Sequence, residues 1–193
     1  MRRRAFLVSA LALPLLARAE RGSRDVASLE KLLRRGGLVL LMRHASTEAG
    51  AGDPPGARLD DCSTQRNLSD AGRAEATRVG ARLRAMGAPI GRVYTSPWCR
   101  CRETARLAFG KGEDWEPLGS FFEHPELEAE ATEHVRKRIL GYTLTKPAGN
   151  VVMVTHNVNI AALTQLSVAP GEIVVVQPDG CCGLKVAGRL RFE

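Results

Sequence analysis

Three short segments, far apart in the chain, carry residue types suited to holding and attacking an anion. In the first, the apolar run Leu38 to Met42 ends in Arg43 and His44 side by side. In the second, Ser96-Pro97 is followed closely by Arg100. In the third, Val151 to Val154 leads into Thr155-His156-Asn157. An arginine presents a planar fork of N–H donors that matches phosphate oxygens two at a time. A neutral imidazole is a nucleophile toward phosphorus, and guanidiniums beside it disfavour its protonated form. The amino end of a helix adds oriented N–H groups and a partial positive charge. Such a set can position a phosphoryl group and neutralise its oxygens without calling on a metal.

The chemistry requires that the three segments meet. Glycine-bounded apolar runs such as Gly37 to Met42 and Asn150 to Val154 read as strands buried on both faces, the habit of a parallel sheet. Between and around them lie helical patterns: Val26, Leu29, Leu32 and Leu33, capped by Asp25 and ended by Gly36-Gly37; Ala76, Val79, Leu83 and Met86, capped by Ser69 and stopped by Gly87; Val135, Ile139 and Leu140 within Glu126 to Tyr142. Arg92 to Thr95 is a further short strand, and Ser96-Pro97 is expected to cap a helix running to Phe109. A helix from Val158 to Leu166 follows the late histidine. Leu118 to Phe122 is expected to be a third strand or extended segment, and Ile173 to Gln177 with Leu184 to Ala187 an edge hairpin. The alternation implies an α/β fold: a three-layer αβα sandwich with a mainly parallel central sheet and a C-terminal edge hairpin. In such a sheet Arg43-His44, the turn from Ser96 to Arg102 and Thr155-His156 all reach the carboxyl edge, where open α/β folds bind ligands. The loop from Glu48 to Thr64, rich in glycine, proline and aspartate, is long enough to be functional.

Taken in order from Leu38 to Val176, these motifs resemble the histidine phosphatase superfamily, which also includes the phosphoglycerate mutases. The matching residues are Met42-Arg43-His44-Ala45, then Ser96-Pro97 with Arg100 and Thr104-Ala105, then Thr155-His156-Asn157. Cys62 to Arg73 is similar to the run before the first large helix in small bacterial members. The family's Arg-His-Gly is Arg43-His44-Ala45 here, as bacterial phosphohistidine phosphatases often have it. The resemblance implies that His44 becomes phosphohistidine, that Arg43 and Arg100 hold the phosphoryl oxygens, and that His156 donates to them. It implies no cofactor and no metal. Arg102 competes for the second arginine role, although the spacing from Ser96-Pro97 to Thr104-Ala105 favours Arg100. For His156 the alternative is a satisfied core histidine.

Two departures bear on proton supply and substrate. Acid-phosphatase members follow the late histidine with a proton-donating aspartate, whereas Asn157 has no such proton. Glu123 is the candidate acid, with a solvated loop carboxylate as the alternative. Lacking an acid, the enzyme would favour good leaving groups such as phosphoramidates or anhydrides. Gly50 stands where mutases carry an asparagine. The expected function is therefore a metal-independent phosphatase acting on small phosphorylated substrates. One alternative is a phosphate-binding domain with little or no turnover. Another is a phosphatase of an envelope sugar phosphate, since heptose-phosphate phosphatases share the strand followed by Thr-His-Asn.

Composition narrows the rest. With 193 residues, 44% hydrophobic and 25% charged, the chain suits one globular domain. Residues 1–19 combine a basic head, thirteen uncharged residues and an Ala17-Arg18-Ala19 end, the pattern of a secretory signal peptide. Arg3-Arg4-Ala5-Phe6-Leu7 is compatible with the twin-arginine route as well as the ordinary one. The expectation is a periplasmic or secreted domain over 20–193, without stable membrane insertion after signal removal. Losing Arg2, Arg3, Arg4 and Arg18, with no acid among them, lowers the formal charge from +7 to +3. That balance, with aromatics at 5% and no basic run, excludes nucleic acid as the expected partner. Five cysteines in an exported chain suggest one or two disulfides, with Cys62 to Cys99 or Cys101 foremost. Cys99-x-Cys101 and adjacent Cys181-Cys182 lack the usual zinc spacing. Oligomeric state is not legible.

Overall fold

The computed structural model describes residues 27–145, 147–179 and 183–192. The segment read as a signal peptide, Asp25 expected as a helix cap, and the pair Cys181-Cys182 lie outside the described residues. Six strands form one sheet: β1 (Val39–Arg43), β2 (Ile90–Thr95), β3 (Glu113–Asp114), β4 (Asn150–Thr155), β5 (Ile173–Asp179) and β6 (Gly183–Leu190). Their order is β3-β2-β4-β1-β5-β6. The pairings among β1, β2, β3 and β4 are parallel, while β5 joins β1 antiparallel and forms a hairpin with β6 at the edge. The expected α/β architecture, parallel at its centre and antiparallel at its C-terminal end, is what the chain adopts.

Side-chain alternation along the strands builds a core on each face. Leu40 and Met42 of β1, Val152 and Val154 of β4, and Ile173 and Val175 of β5 join one cluster. It is covered by Leu29 and Leu33 of α1 (27–35), Val79 and Leu83 of α2 (Asp70–Ala85), and Cys101 and Ala105 of α3 (Cys99–Phe109). Val39, Leu41, Val151, Met153, Val174 and Val176 face the other way, under Val135 and Ile139 of α4 (Glu128–Thr145) and Ile160 and Leu163 of α5 (Asn157–Thr164). Entry into β1 depends on Gly36 and Gly37, both at positive φ of 73° and 79°, which glycine alone adopts readily. Buried Asn150 ties this end of the sheet: its carboxamide accepts from Leu38 N and donates to the carbonyls of Leu33 and Pro89.

Two sequence expectations are corrected. Leu118 to Phe122 is not a sheet strand; a 3₁₀ turn over Glu116–Leu118, with Pro117 in its first positions, takes the chain out of the sheet. Leu118 is fully buried, and its carbonyl accepts from the Thr155 hydroxyl at 2.7 Å instead of a strand N–H. The edge position falls to the two residues of β3. Ser96 is likewise not the cap of α3. Trp98 holds the N-cap position with no side-chain bond, and the Ser96 hydroxyl is used elsewhere. Ser69, by contrast, caps α2 by accepting from Gly72 N.

Candidate active site

Sheet register brings the three chemical segments to one edge. Arg43, the last residue of β1, pairs with Thr155, and Thr95 of β2 with Val154. Just beyond, His44 N donates to Thr155 O and Ser96 N to Val154 O, each at 2.9 Å. Arg43, His44, Arg66, Arg100 and His156 consequently line one cavity of about 840 Å³. The His44 and His156 ring centroids lie 5.4 Å apart, inclined at 65°. The backbone after His44 is held by α2 and α3. A Cβ on Gly72 would collide with Ser46 O, so only glycine lets α2 approach that closely. Ala45 is buried with Leu68 and Ala76, and its N–H donates to Thr104 Oγ1.

The tautomer of His44 follows from its surroundings. Nδ1 lies 2.8 Å from Ala45 O, and a carbonyl can only accept, so Nδ1 carries the proton and Nε2 keeps its lone pair. Burial lowers the pKa of His44 to about 3, with the Arg100, Arg43 and Arg66 charges pushing the same way and the Ala45 bond opposing. His44 is thus neutral, oriented and only 4% exposed. The pKa of His156 also lies well below its ordinary value, first through burial and then through His44 and the arginines. The Ser96 hydroxyl is 2.9 Å from His156 Nε2, with Cys101 Sγ at 3.5 Å. Ser96 Oγ also accepts from Trp98 N. Cys101 is no nucleophile: burial pushes its thiol up to about 12.

The two arginines named from the sequence differ in their ties. Arg43 donates from Nη1 to Val168 O at 2.7 Å. Its pKa is lowered mainly by burial. Arg100 donates from Nη1 to both Asp53 oxygens at 2.8 and 2.9 Å, and the two side chains are 4% and 5% exposed. Both arginines retain a buried Nε–H with no partner among the described residues. Buried donors left unmatched are costly; both residues line the cavity. Arg102 is excluded from this group; it is partly exposed and bound to Asp114 through Nε and Nη2.

Glu123 also borders the cavity, as an exposed side chain whose Oε1 accepts from Asp53 N at a long 3.4 Å. Asn157, in the position where a proton donor could stand, instead accepts from Val168 N and the Ser167 hydroxyl. Two residues of the site escaped the sequence reading. Arg66 donates to Thr47 Oγ1 and to the carbonyls of Gly50 and Gly52, shaping the long loop while adding charge near His44. Asp53 belongs to that same loop. Their only sequence signals were membership of the Cys62 to Arg73 run and of a loop too long to be idle. The loop is fastened to α3 by a Cys62–Cys99 disulfide and by Gln65, whose Oε1 accepts from Cys99 N. Among the described residues, no group of three or more His, Cys, Asp or Glu side chains could hold a metal ion, and no helix is long and apolar enough to cross a membrane.

Residues 39–121 match the model of the histidine phosphatase superfamily, branch 1. Over that segment, less than half of the chain, the sequence is similar to that superfamily. The match includes Arg43, His44 and Arg100 and ends before Glu123 and His156. Among solved structures, the protein histidine phosphatase SixA complexed with tungstate aligns over 79% of this chain and 96% of its own, with a TM-score of 0.60 and 18% identity. YhfR of Bacillus stearothermophilus aligns over 78% and 95%, with a TM-score of 0.56 and 18% identity. Rv3214 of Mycobacterium tuberculosis aligns over 77% and 95%, at the same TM-score of 0.56 and 18% identity. At such identities the likeness is one of fold. Comparison with curated proteins found no match.

Proposed function

We propose that the protein is a phosphatase in which His44 Nε2 attacks phosphorus, the P–O ester bond breaks, and the phosphohistidine so formed is hydrolysed by water. The observation that carries this reading is the state of His44: neutral, with its proton fixed on Nδ1 by Ala45 O. The guanidiniums of Arg43 and Arg100, which line the cavity, are suited to the phosphoryl oxygens. His156, whose Nε2 lies 2.9 Å from the Ser96 hydroxyl, borders the same cavity and serves as the fourth member of the phosphoryl pocket. No metal is required by this scheme, because guanidiniums and imidazole meet the charge.

The test is phosphate release from activated phosphomonoesters and phosphoramidates by wild type and His44→Ala. The expected loss is about 10³-fold or more, with acid-labile phosphate trapped on the wild-type chain only. Activity unaffected by His44→Ala would sink the mechanism. Phosphate binding without turnover at any pH would favour the binding-domain alternative. Export belongs to the same proposal. It is supported by the signal-like residues 1–19 and by a disulfide suited to an oxidising compartment. Amino-terminal sequencing of protein recovered from the periplasm or medium should begin near Glu20; an intact Met1 there would refute processing.

A further inference from the structure

The cavity has two unlike parts. Its floor is cationic, formed by the arginines and histidines already described. Its outer wall carries Leu59, Phe122 and Leu127, which are 42%, 61% and 49% exposed. Five large apolar side chains are conspicuously exposed among the described residues, and these three are the ones that border the cavity. Scattered exposed apolar residues need no explanation, but a cluster at the mouth of a charged pocket marks a binding surface. Pro54 and Pro55 extend it. Trp98 links it to the floor, its ring lying 4.7 Å from the Arg100 guanidinium carbon. The charged groups on the wall are acidic or weakly basic: Glu116, Glu123 and His124.

We infer that the substrate is a phosphomonoester or related phosphoryl compound whose single phosphoryl group is carried on an uncharged, apolar body. This rests on the phosphatase reading for the floor and goes beyond it for the wall. The cavity volume of about 840 Å³ lies within the range of roughly 300–1,000 Å³ typical of pockets for drug-sized ligands, far more than a phosphoryl group fills. A sugar phosphate would set some of its hydroxyls against Leu59, Phe122 and Leu127, whose side chains cannot answer them, and could satisfy others at the neighbouring Ser120, Glu123 and His124. A second phosphate on the body would meet the Glu116 and Glu123 carboxylates. An alkyl or aryl body avoids both penalties and covers the exposed apolar atoms.

Alkylphosphonates, which cannot be hydrolysed, test the wall independently of turnover. Titration calorimetry on the processed chain should find hexylphosphonate binding at least about tenfold tighter than ethylphosphonate, since each buried methylene contributes severalfold, and with a more negative heat-capacity change. Glycerol 3-phosphate should bind no better than ethylphosphonate. Phe122→Ser and Leu59→Ser, both at exposed positions, should each pull the hexyl-to-ethyl ratio toward one. Equal affinity for the two phosphonates, preference for glycerol 3-phosphate, or binding to neutral vesicles with no phosphonate gradient would overturn the inference. The last result would make the rim a membrane-docking surface. A phosphonate gradient without phosphate release from any ester would defeat the phosphatase reading and leave the ligand class standing. Hydrolysis without a gradient would do the reverse.

Discussion

The floor and the wall of the cavity are held in place by different physics. The floor is an extension of the sheet: Arg43 ends β1, His156 follows β4, and Arg100 lies in the first turn of the helix after β2. Its residues are placed by backbone register through a core in which Leu40, Leu41, Val152 and Met153 are fully buried. The wall comes from two segments: the loop carrying Leu59 is held by the Cys62–Cys99 disulfide, the Asp53–Arg100 pair and Arg66 bound to loop carbonyls, and Phe122 and Leu127 belong to the stretch of short 3₁₀ turns before α4. In the proposed reading, phosphoryl chemistry rests on the part placed by the sheet and substrate choice on the part placed by loop contacts.

Arg100 is where the two regions meet, so its removal should have the largest effect. Arg100→Ala takes a donor from the phosphoryl site and leaves Asp53 buried without its partner. Activity should fall about 10²–10³-fold in kcat/KM, and urea denaturation should register a loss of about 3–5 kcal/mol. Adding Asp53→Asn should restore much of the stability and none of the activity. If the double variant recovers activity as well, Arg100 serves the loop and not the phosphoryl group.

Breaking only the wall is the next test. A closed loop of 37 residues' separation predicts, from chain entropy, that Cys62→Ser with Cys99→Ser lowers stability by about 4 kcal/mol. Under conditions where the variant stays folded, turnover of a small activated ester should change less than about tenfold, because the sheet still positions His44 and His156. A loss as large as that of Arg100→Ala would mean that the floor depends on the wall.

This division also accounts for what could be read in advance. The parallel sheet, its two-faced core and the meeting of Arg43, His44, Arg100 and His156 were legible because apolar runs and strand order determine them. Ser96 was misread as a cap because its local pattern fits one, whereas its real partner, His156, is 60 residues away. Leu118 was misread as strand because an apolar residue buried in a 3₁₀ turn has the same signature as one in a sheet. Asp53 and Arg66 had no periodicity to announce them. Their roles arise from loop contacts with no counterpart in spacing.

The floor should also leave a mark on acid stability. His44 has a folded pKa of about 3 against an ordinary 6.5, so between those values the unfolded chain binds the extra proton. Stability contributed by neutral His44 is therefore complete above about 6.5 and declines as the pH falls toward 3. His156, shifted in the same direction, adds to the slope. His44→Gln should flatten the dependence of unfolding free energy on pH in that window. The same shift predicts that kcat/KM has no acid limb near 6.5 attributable to His44. A slope unaltered by His44→Gln would show that the imidazole is not held neutral.

The smallest expected effect belongs to Glu123, and it decides where the leaving-group proton comes from. Glu123 is exposed, and among the described residues its one hydrogen bond, accepted from Asp53 N at 3.4 Å, holds it weakly. A loosely held acid contributes little to departure of a leaving group that needs no proton. Glu123→Gln should therefore cost about tenfold or less on p-nitrophenyl phosphate. The informative quantity is the trend across esters of rising leaving-group pKa. A loss that steepens along the series identifies Glu123 as the proton donor, drawn into place when substrate fills the cavity. A flat trend assigns the proton to water, and places Glu123 with Leu59 and Phe122 on the wall that selects the substrate's body.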